Sequence, residues 1–169
     1  MSIITNVRTI RLEQFPNSIW VEIETDENLT GLGEAWRGTA AIETIIHHDI
    51  CPWLIGQDSR NIELISRTLL TPYVGFHSAS AEIRAASAID IALWDLAGKR
   101  HGIPVYEALG GASRSSIQVY NTCSGYSFNA SSSAYNSGTS RRMITDKDEM
   151  RGPYDDQVAF TRDAGALAK

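Results

Sequence analysis

The chain has 169 residues, of which 43% are hydrophobic and 21% charged, close to an average globular domain. This composition excludes a disordered, collagen-like or low-complexity chain. The net charge of −5 argues against a nucleic-acid partner, because phosphate binding requires a basic surface. The sequence shows neither a membrane-spanning apolar run nor a signal peptide. We therefore expect about one cytoplasmic domain with no membrane partner, whose two cysteines are reduced.

The first third of the chain predicts a three-stranded antiparallel meander. Apolar and polar residues alternate over 19–24, which is the period of a half-buried strand. Residues 26–28 suit a turn, after which 31–36 return as the second strand of a hairpin. The β-rich stretch 3–12 supplies the remaining strand, and the loop 13–17 separates it from the hairpin.

The hydrophobic spacing then becomes helical. It predicts helices over 40–50, 61–70 and 81–100, followed by a short helical turn at 105–109. Pro52 either ends the first of these helices or starts the next turn. The helix over 81–100 carries an apolar stripe rich in alanine, which allows another element to pack close to its backbone.

Polar residues and glycine mark the ends of these helices. Asp58 or Ser59 is expected to cap the second helix, and Ser80 the third. Gly102 stands where a helix-terminating glycine belongs, and Pro104 follows it. These signals define the helical boundaries independently of the hydrophobic spacing.

The residues after Gly111 predict a different kind of unit. A strand begins near Ile117, a long polar loop covers 127–151, and a helix is expected over 157–169. One parallel βα unit has no sheet partner of its own. We therefore expect the chain either to be a fragment or to complete its sheet with another chain.

Motifs that carry chemistry are weak in this sequence. Gly31-x-Gly33 lacks the third glycine of a dinucleotide fingerprint and is better explained as part of a hairpin. His47 and His48 are adjacent and so point to different helix faces, whereas helical metal pairs need a spacing of four. His77 lies in a loop, where a binding role competes with a structural one.

Two carboxylates on the third helix, Asp90 and Asp95, raise the possibility of acid–base chemistry. Five positions on a helix turn about 500°, so the two are poorly aligned, and we interpret them as structural anchors. Cys123 has no local base and is expected to be inert. The residues alone therefore predict an α+β module without a catalytic constellation.

Several stretches together resemble a known family. Residues 85–99 read AASAIDIALWDLAGK, and Pro104-Val105 and Leu109-Gly110-Gly111 follow. With Gly31-x-Gly33-Glu34-Ala35 and the strand at 117–120, they resemble the mandelate racemase/muconate lactonizing enzyme family of the enolase superfamily. Ala108 departs from the leucine usual in the family, which suggests local repacking.

The resemblance implies a two-part fold. Residues 1–111 would form an α+β capping domain, a three-stranded antiparallel meander with a helical bundle. Residues 112–169 would start a (β/α) TIM-type barrel that is truncated here, because a complete barrel needs about 250 residues.

The resemblance also implies a Mg²⁺-dependent enzyme that abstracts the α-proton of a carboxylate, most similar to acid-sugar dehydratases. The Mg²⁺ ligands and the base are expected beyond Lys169, so no catalytic or metal-binding residue is assigned in this segment, which alone is expected to be inactive. The full-length protein is expected to be a homo-oligomer. The alternatives are a racemase or cycloisomerase, or a non-catalytic capping and interaction module.

This segment would then supply the loops that cover the substrate. By analogy with the family these are residues 13–18, the stretch after Trp36, and 71–80. The predicted substrate-binding residues of these loops are Phe15, Trp36, Arg37 and His77, with ordinary interface packing as the alternative for each. Near the end of the barrel strand, Asn121, or Thr122 in its place, is expected to hydrogen-bond a substrate hydroxyl.

Overall fold

The computed structural model describes residues 1–13, 15–71 and 80–119. The described strands are β1 (Ile4–Ile10), β2 (Ser18–Thr25) and β3 (Thr30–Trp36). The described helices are α1 (Thr39–Thr44), α2 (Cys51–Leu54), α3 (Ile62–Leu70), α4 (Ala81–His101) and α5 (Val105–Ala108), with a π-helical segment, Ile45–Ile50, between α1 and α2. None of the helices in these ranges has the length and apolarity needed to cross a bilayer.

The chain divides into two compact units. The first comprises 1–12 and 18–113, and it contains every strand and helix named above. The second comprises 13–17 and 114–169, of which the structure describes 13, 15–17 and 114–119. The proposed boundary between residues 111 and 112 remains a prediction.

The predicted antiparallel meander is confirmed. The strand order is β1-β2-β3, and Val21 in β2 lies opposite Thr9 on one side and Gly33 on the other. The side chains of Ile19, Val21 and Ile23 are fully buried, as their period-two spacing predicts. Asn28 closes the β2–β3 turn with a positive φ of 58°, which asparagine tolerates better than most residues.

The helical run after β3 continues past its predicted end. Pro52 lies in the first turn of α2, where the missing N–H costs least, so it starts a turn rather than ending the run. Asn61, rather than Asp58 or Ser59, occupies the N-cap position of α3. Asp58 instead pairs with Arg60. Ser59 is fully buried and its hydroxyl accepts a hydrogen bond from Arg100.

The long helix α4 covers the sheet, and the predicted boundaries hold. Ser80 stands at its N-cap position and Gly102 at its C-cap, with φ of 66°. Gly31 and Gly33 lie in the returning strand of the hairpin, but their main role is packing. A Cβ on either glycine would meet the carbonyl oxygens of Ala92 or Ala88 well inside van der Waals contact. The alanine stripe of α4 therefore packs directly on the backbone of β3.

The segment at 117–119 does not extend into a sheet. Ile117 is 73% exposed and Val119 is 81% exposed, and neither belongs to a strand. A strand needs a neighbour for its backbone hydrogen bonds, and no described segment pairs with these residues. The rest of the predicted βα unit, 120–169, lies outside the described residues.

Candidate functional site

The turn that links β3 to α1 has an unusual backbone. Arg37 has φ of 70° and Gly38 has φ of 85°, so two consecutive residues are left-handed. Glycine adopts this conformation without penalty, but a residue with a side chain pays about 1–2 kcal/mol for it. The turn reverses the chain at the end of β3 and sets the direction in which the Arg37 side chain leaves the backbone.

Arg84, near the start of α4, contacts this turn from the helix. Its Nη1 donates a hydrogen bond of 2.8 Å to the carbonyl oxygen of Arg37. A hydrogen bond from a charged donor is shorter and stronger than one between neutral groups. The strained residue is therefore held through its main chain by a guanidinium from a different element.

The side chains of Trp36 and Arg37 lie together. The guanidinium carbon of Arg37 is 5.5 Å from the centroid of the Trp36 ring, within the range of a cation–π contact. The Trp36 side chain remains 43% exposed. The turn therefore presents a positive charge and a flat apolar surface side by side, a combination that suits an organic carboxylate.

A second polar cluster joins β1 to the first helical run. The carboxylate of Glu43 accepts a hydrogen bond of 2.9 Å from Arg11, which is the main reason that the pKa of Glu43 is lowered. Thr9 Oγ1 lies 2.8 Å from His47 Nε2. Burial raises the pKa of the Cys51 thiol, so Cys51 stays protonated and is a poor nucleophile. This cluster connects β1 to the first helical run.

The two carboxylates of α4 are structural, as predicted. Asp95 Oδ2 accepts hydrogen bonds of 2.7 Å from the backbone N–H of Leu32 and of 2.7 Å from Lys99 Nζ. Asp90 Oδ1 accepts a hydrogen bond from the Ser66 hydroxyl. Asp95 thereby fixes α4 to β3, and Asp90 fixes α4 to α3.

The described residues do not fit a magnesium site. Nowhere in 1–13, 15–71 and 80–119 do three or more histidine, cysteine, aspartate or glutamate side chains group closely enough to hold a metal ion. Mg²⁺ requires several oxygen ligands in near-octahedral geometry. No catalytic step is therefore derived through a metal on these residues.

The structure brings together two of the five predicted binding residues, Trp36 and Arg37. Phe15 belongs to the second compact unit and is 57% exposed. His77 and Asn121 lie outside the described residues. Sequence reasoning missed Arg84, because its partner is 47 positions away and no local pattern signals such a contact.

Together, a three-stranded meander, a long helix packed on it and a charged turn at the strand end define an α+β capping domain. A family model described as the N-terminal domain of mandelate racemase/muconate lactonizing enzyme matches residues 6–110. The chain therefore belongs to the mandelate racemase/muconate lactonizing enzyme family, as the sequence resemblance indicated.

Individual relatives agree with this assignment. A D-galactonate dehydratase of Ralstonia nicotianae is 39% identical over 124 residues, which cover 72% of this chain and 31% of the relative. A crystal structure of an enolase protein from Sargasso Sea environmental sequencing is 55% identical with a TM-score of 0.70, over 76% of this chain and 35% of that one. An enolase from Pantoea ananatis with bound D-gluconate and Mg is 39% identical with a TM-score of 0.59, over 68% and 28% of the two chains. The chain thus spans about a third of the length of the proteins it matches.

Proposed function

We propose that this chain forms the substrate-covering part of a Mg²⁺-dependent acid-sugar dehydratase. The similarity to a D-galactonate dehydratase and to an enolase with bound D-gluconate and Mg supports this proposal. Because the chain spans 31% of the dehydratase, the activity is proposed for the full-length protein, and the chain alone is expected to be inactive.

The proposed reaction removes the proton α to the carboxylate of a sugar acid and expels the β-hydroxyl as water. The enol that remains converts to a 2-keto-3-deoxy acid. The metal would supply charge neutralisation at the carboxylate during proton removal. We expect its ligands and the base outside the described residues, beyond Lys169.

The Trp36–Arg37 pair is the observation that carries the role of this segment. A guanidinium offers parallel N–H donors that match the two oxygens of a carboxylate, and an aromatic ring beside it keeps water away. Trp36 is 43% exposed. We propose that Arg37 pairs with the substrate carboxylate and that Trp36 covers it. Phe15, His77 and Asn121 remain proposed contacts.

The first experiment is a screen of the full-length protein against sugar acids, with Mg²⁺ and with a chelator, followed by detection of 2-keto-3-deoxy acids. Metal-dependent formation of such a product would support the proposal. Inversion or cyclisation of the substrate without loss of water would instead indicate a racemase or cycloisomerase. Absence of any turnover would favour a non-catalytic role.

The second experiment tests Arg37 directly on the substrate found. We expect Arg37→Ala to raise KM by about tenfold or more, since a hydrogen bond to a charged group contributes about 1.5–3 kcal/mol. Arg67→Ala is the matched control, because that side chain is 77% exposed and pairs with Glu63 on its own helix. Unchanged kinetics in Arg37→Ala would reject the role of Arg37.

A further inference from the structure

The left-handed backbone of Arg37 needs a stabilising contact. With φ of 70°, Arg37 lies in a region that side chains disfavour, and its guanidinium lies 5.5 Å from the Trp36 ring in this conformation. Residues held in such conformations persist only where their surroundings fix them. The contact that fixes Arg37 therefore also determines where its guanidinium lies.

Arg84 is placed to provide that contact. Its Nη1 donates to the Arg37 carbonyl oxygen at 2.8 Å in a partly buried position. The same Nη1 lies 4.0 Å from the position that a Cβ on Gly38 would occupy, so it lies against both left-handed residues. One guanidinium thus lies against both residues of the turn.

Arg84 is itself fixed relative to β3. Its helix packs directly on the backbones of Gly31 and Gly33, and Asp95 bonds the N–H of Leu32 at 2.7 Å. The position on α4 from which the Arg84 side chain extends is therefore fixed relative to β3.

We propose that Arg84 is a positioning residue that keeps Arg37 left-handed, so that Arg37 and Trp36 together face the substrate carboxylate. The part that concerns the substrate rests on the proposed function. The part that concerns the turn does not, so the two are tested separately.

The turn is tested without substrate by ¹⁹F NMR of the full-length protein labelled with 5-fluorotryptophan. The resonance of Trp36 is assigned from its loss in Trp36→Phe. We expect Arg84→Met to shift or broaden this resonance while that of Trp53 stays in place. Arg84→Lys should bring the Trp36 resonance part of the way back to its wild-type position, because its ammonium group can still donate to the Arg37 carbonyl. Arg67→Met is the control that leaves both resonances unchanged.

Glycine at position 37 separates positioning from general structure. Arg37→Gly adopts the left-handed conformation without help but also removes the guanidinium beside Trp36, so the reporter for this comparison is the backbone amide resonance of Gly38. Adding Arg84→Met to Arg37→Gly should move that amide resonance far less than Arg84→Met does alone. An equal change in both backgrounds, or an unmoved resonance in Arg84→Met, would overturn the positioning role. If Arg84→Met does not fold, Arg84→Lys with and without Arg37→Gly makes the same comparison.

Kinetics then link the turn to the substrate. We expect Arg84→Met to raise KM several-fold with kcat within twofold, because Arg84 acts through Arg37 and does not touch the reacting atoms. A moved Trp36 resonance with unchanged KM in both Arg84→Met and Arg37→Ala would leave the positioning role intact and reject the substrate role. A Trp36 resonance that does not move in Arg84→Met, together with a raised KM in Arg37→Ala, would reject the positioning role of Arg84 and leave the substrate role of Arg37 intact.

Discussion

The two ends of β3 are both tied to α4 by cationic side chains, a lysine at the beginning and an arginine at the end. Where the strand begins, Lys99 Nζ donates to the Thr30 carbonyl at 2.7 Å, and Arg100 enters a network of side chains. Where the strand ends, Arg84 donates to the main-chain carbonyl of Arg37. The first end combines a bond to the main chain with a side-chain network around Arg100, whereas the second end has a cation on the carbonyl of a left-handed residue.

The surroundings of the two ends differ as well. Arg100 Nη2 donates to the hydroxyls of Ser2 at 2.6 Å and Ser59 at 2.9 Å, and its Nε donates to Glu27 at 3.2 Å. Ser2 and Ser59 are fully buried, whereas Trp36 at the opposite end is 43% exposed. The Arg100 network near the beginning of β3 is thus buried, whereas the turn at its end, to which we assign a binding role only as a proposal, is partly exposed.

The largest loss of stability is expected when the close packing of α4 on β3, which both ends of the strand share, is disrupted. Gly33→Ala forces a methyl group against the carbonyl of Ala88 and should cost about 3 kcal/mol, at the upper end of typical overpacking. Urea denaturation measures the loss. Glu34→Ala, on the exposed face of the same strand, should change stability by less than about 0.5 kcal/mol. Similar losses in both variants would contradict the close contact.

The next largest loss of stability is expected when the buried hydrogen bonds of Arg100 are removed. Arg100→Met leaves the hydroxyls of Ser2 and Ser59 without this donor and should cost about 2 kcal/mol. Arg84→Met should cost less, because the bond to Arg37 that it breaks lies at a more open turn. The control Arg67→Met removes an exposed pair with Glu63 and should cost less than about 0.5 kcal/mol. A larger loss for Arg84→Met than for Arg100→Met would reverse the comparison.

Lowering the pH should destabilise the fold at Asp58, which accepts a hydrogen bond from the backbone N–H of the buried Ser2. The hydrogen bond and charge of Arg60 hold the pKa of Asp58 well below its ordinary value of 3.8. Because the folded pKa is depressed, this stabilisation is complete above the unfolded pKa and is lost as pH falls through the folded one. Urea midpoints should therefore decrease as pH falls below about 5, and Asp58→Asn should flatten that decrease. Parallel profiles for the two proteins would show that Asp58 does not contribute.

The smallest effect concerns the exposed face of the sheet, which belongs to neither end. Arg8 pairs with Glu22 at 2.5 Å and with Glu24 at 3.1 Å, but its side chain is 57% exposed. Arg8→Ala should cost at most about 1 kcal/mol, and the cost should shrink at about 1 M salt. A loss that is large and insensitive to salt would show that Arg8 packs against the sheet rather than pairing with charges.

Local features of the fold were predictable from the sequence. The alternation over 19–24 determines which side chains of β2 are buried, and the helix-terminating glycine marks the end of α4, because both signals act over a few neighbouring residues. The alanine stripe of α4 likewise predicted close packing. The family resemblance added the arrangement of these elements.

Features that depend on distant partners were not predictable. The sequence places Gly31 and Gly33 in a hairpin but does not show that α4 lies on them. Asp58 was expected to cap a helix, yet Arg60 binds it instead. At the candidate site, the identities of Trp36 and Arg37 could be read, but the left-handed φ of Arg37 has no local signal, and the contact with Arg84 joins residues 47 positions apart.

The docking of α4 on the glycines of β3 also sets an order in synthesis. The three strands of the meander are neighbours in sequence and can pair soon after Trp36 leaves the ribosome. Their apolar face is covered only once α4 has followed, since its alanines form the opposing surface. Nascent chains that have completed β3 but not α4 therefore expose both an apolar sheet face and open strand edges. We expect this to be the stage at which the growing chain associates most readily with chaperones or with other nascent chains.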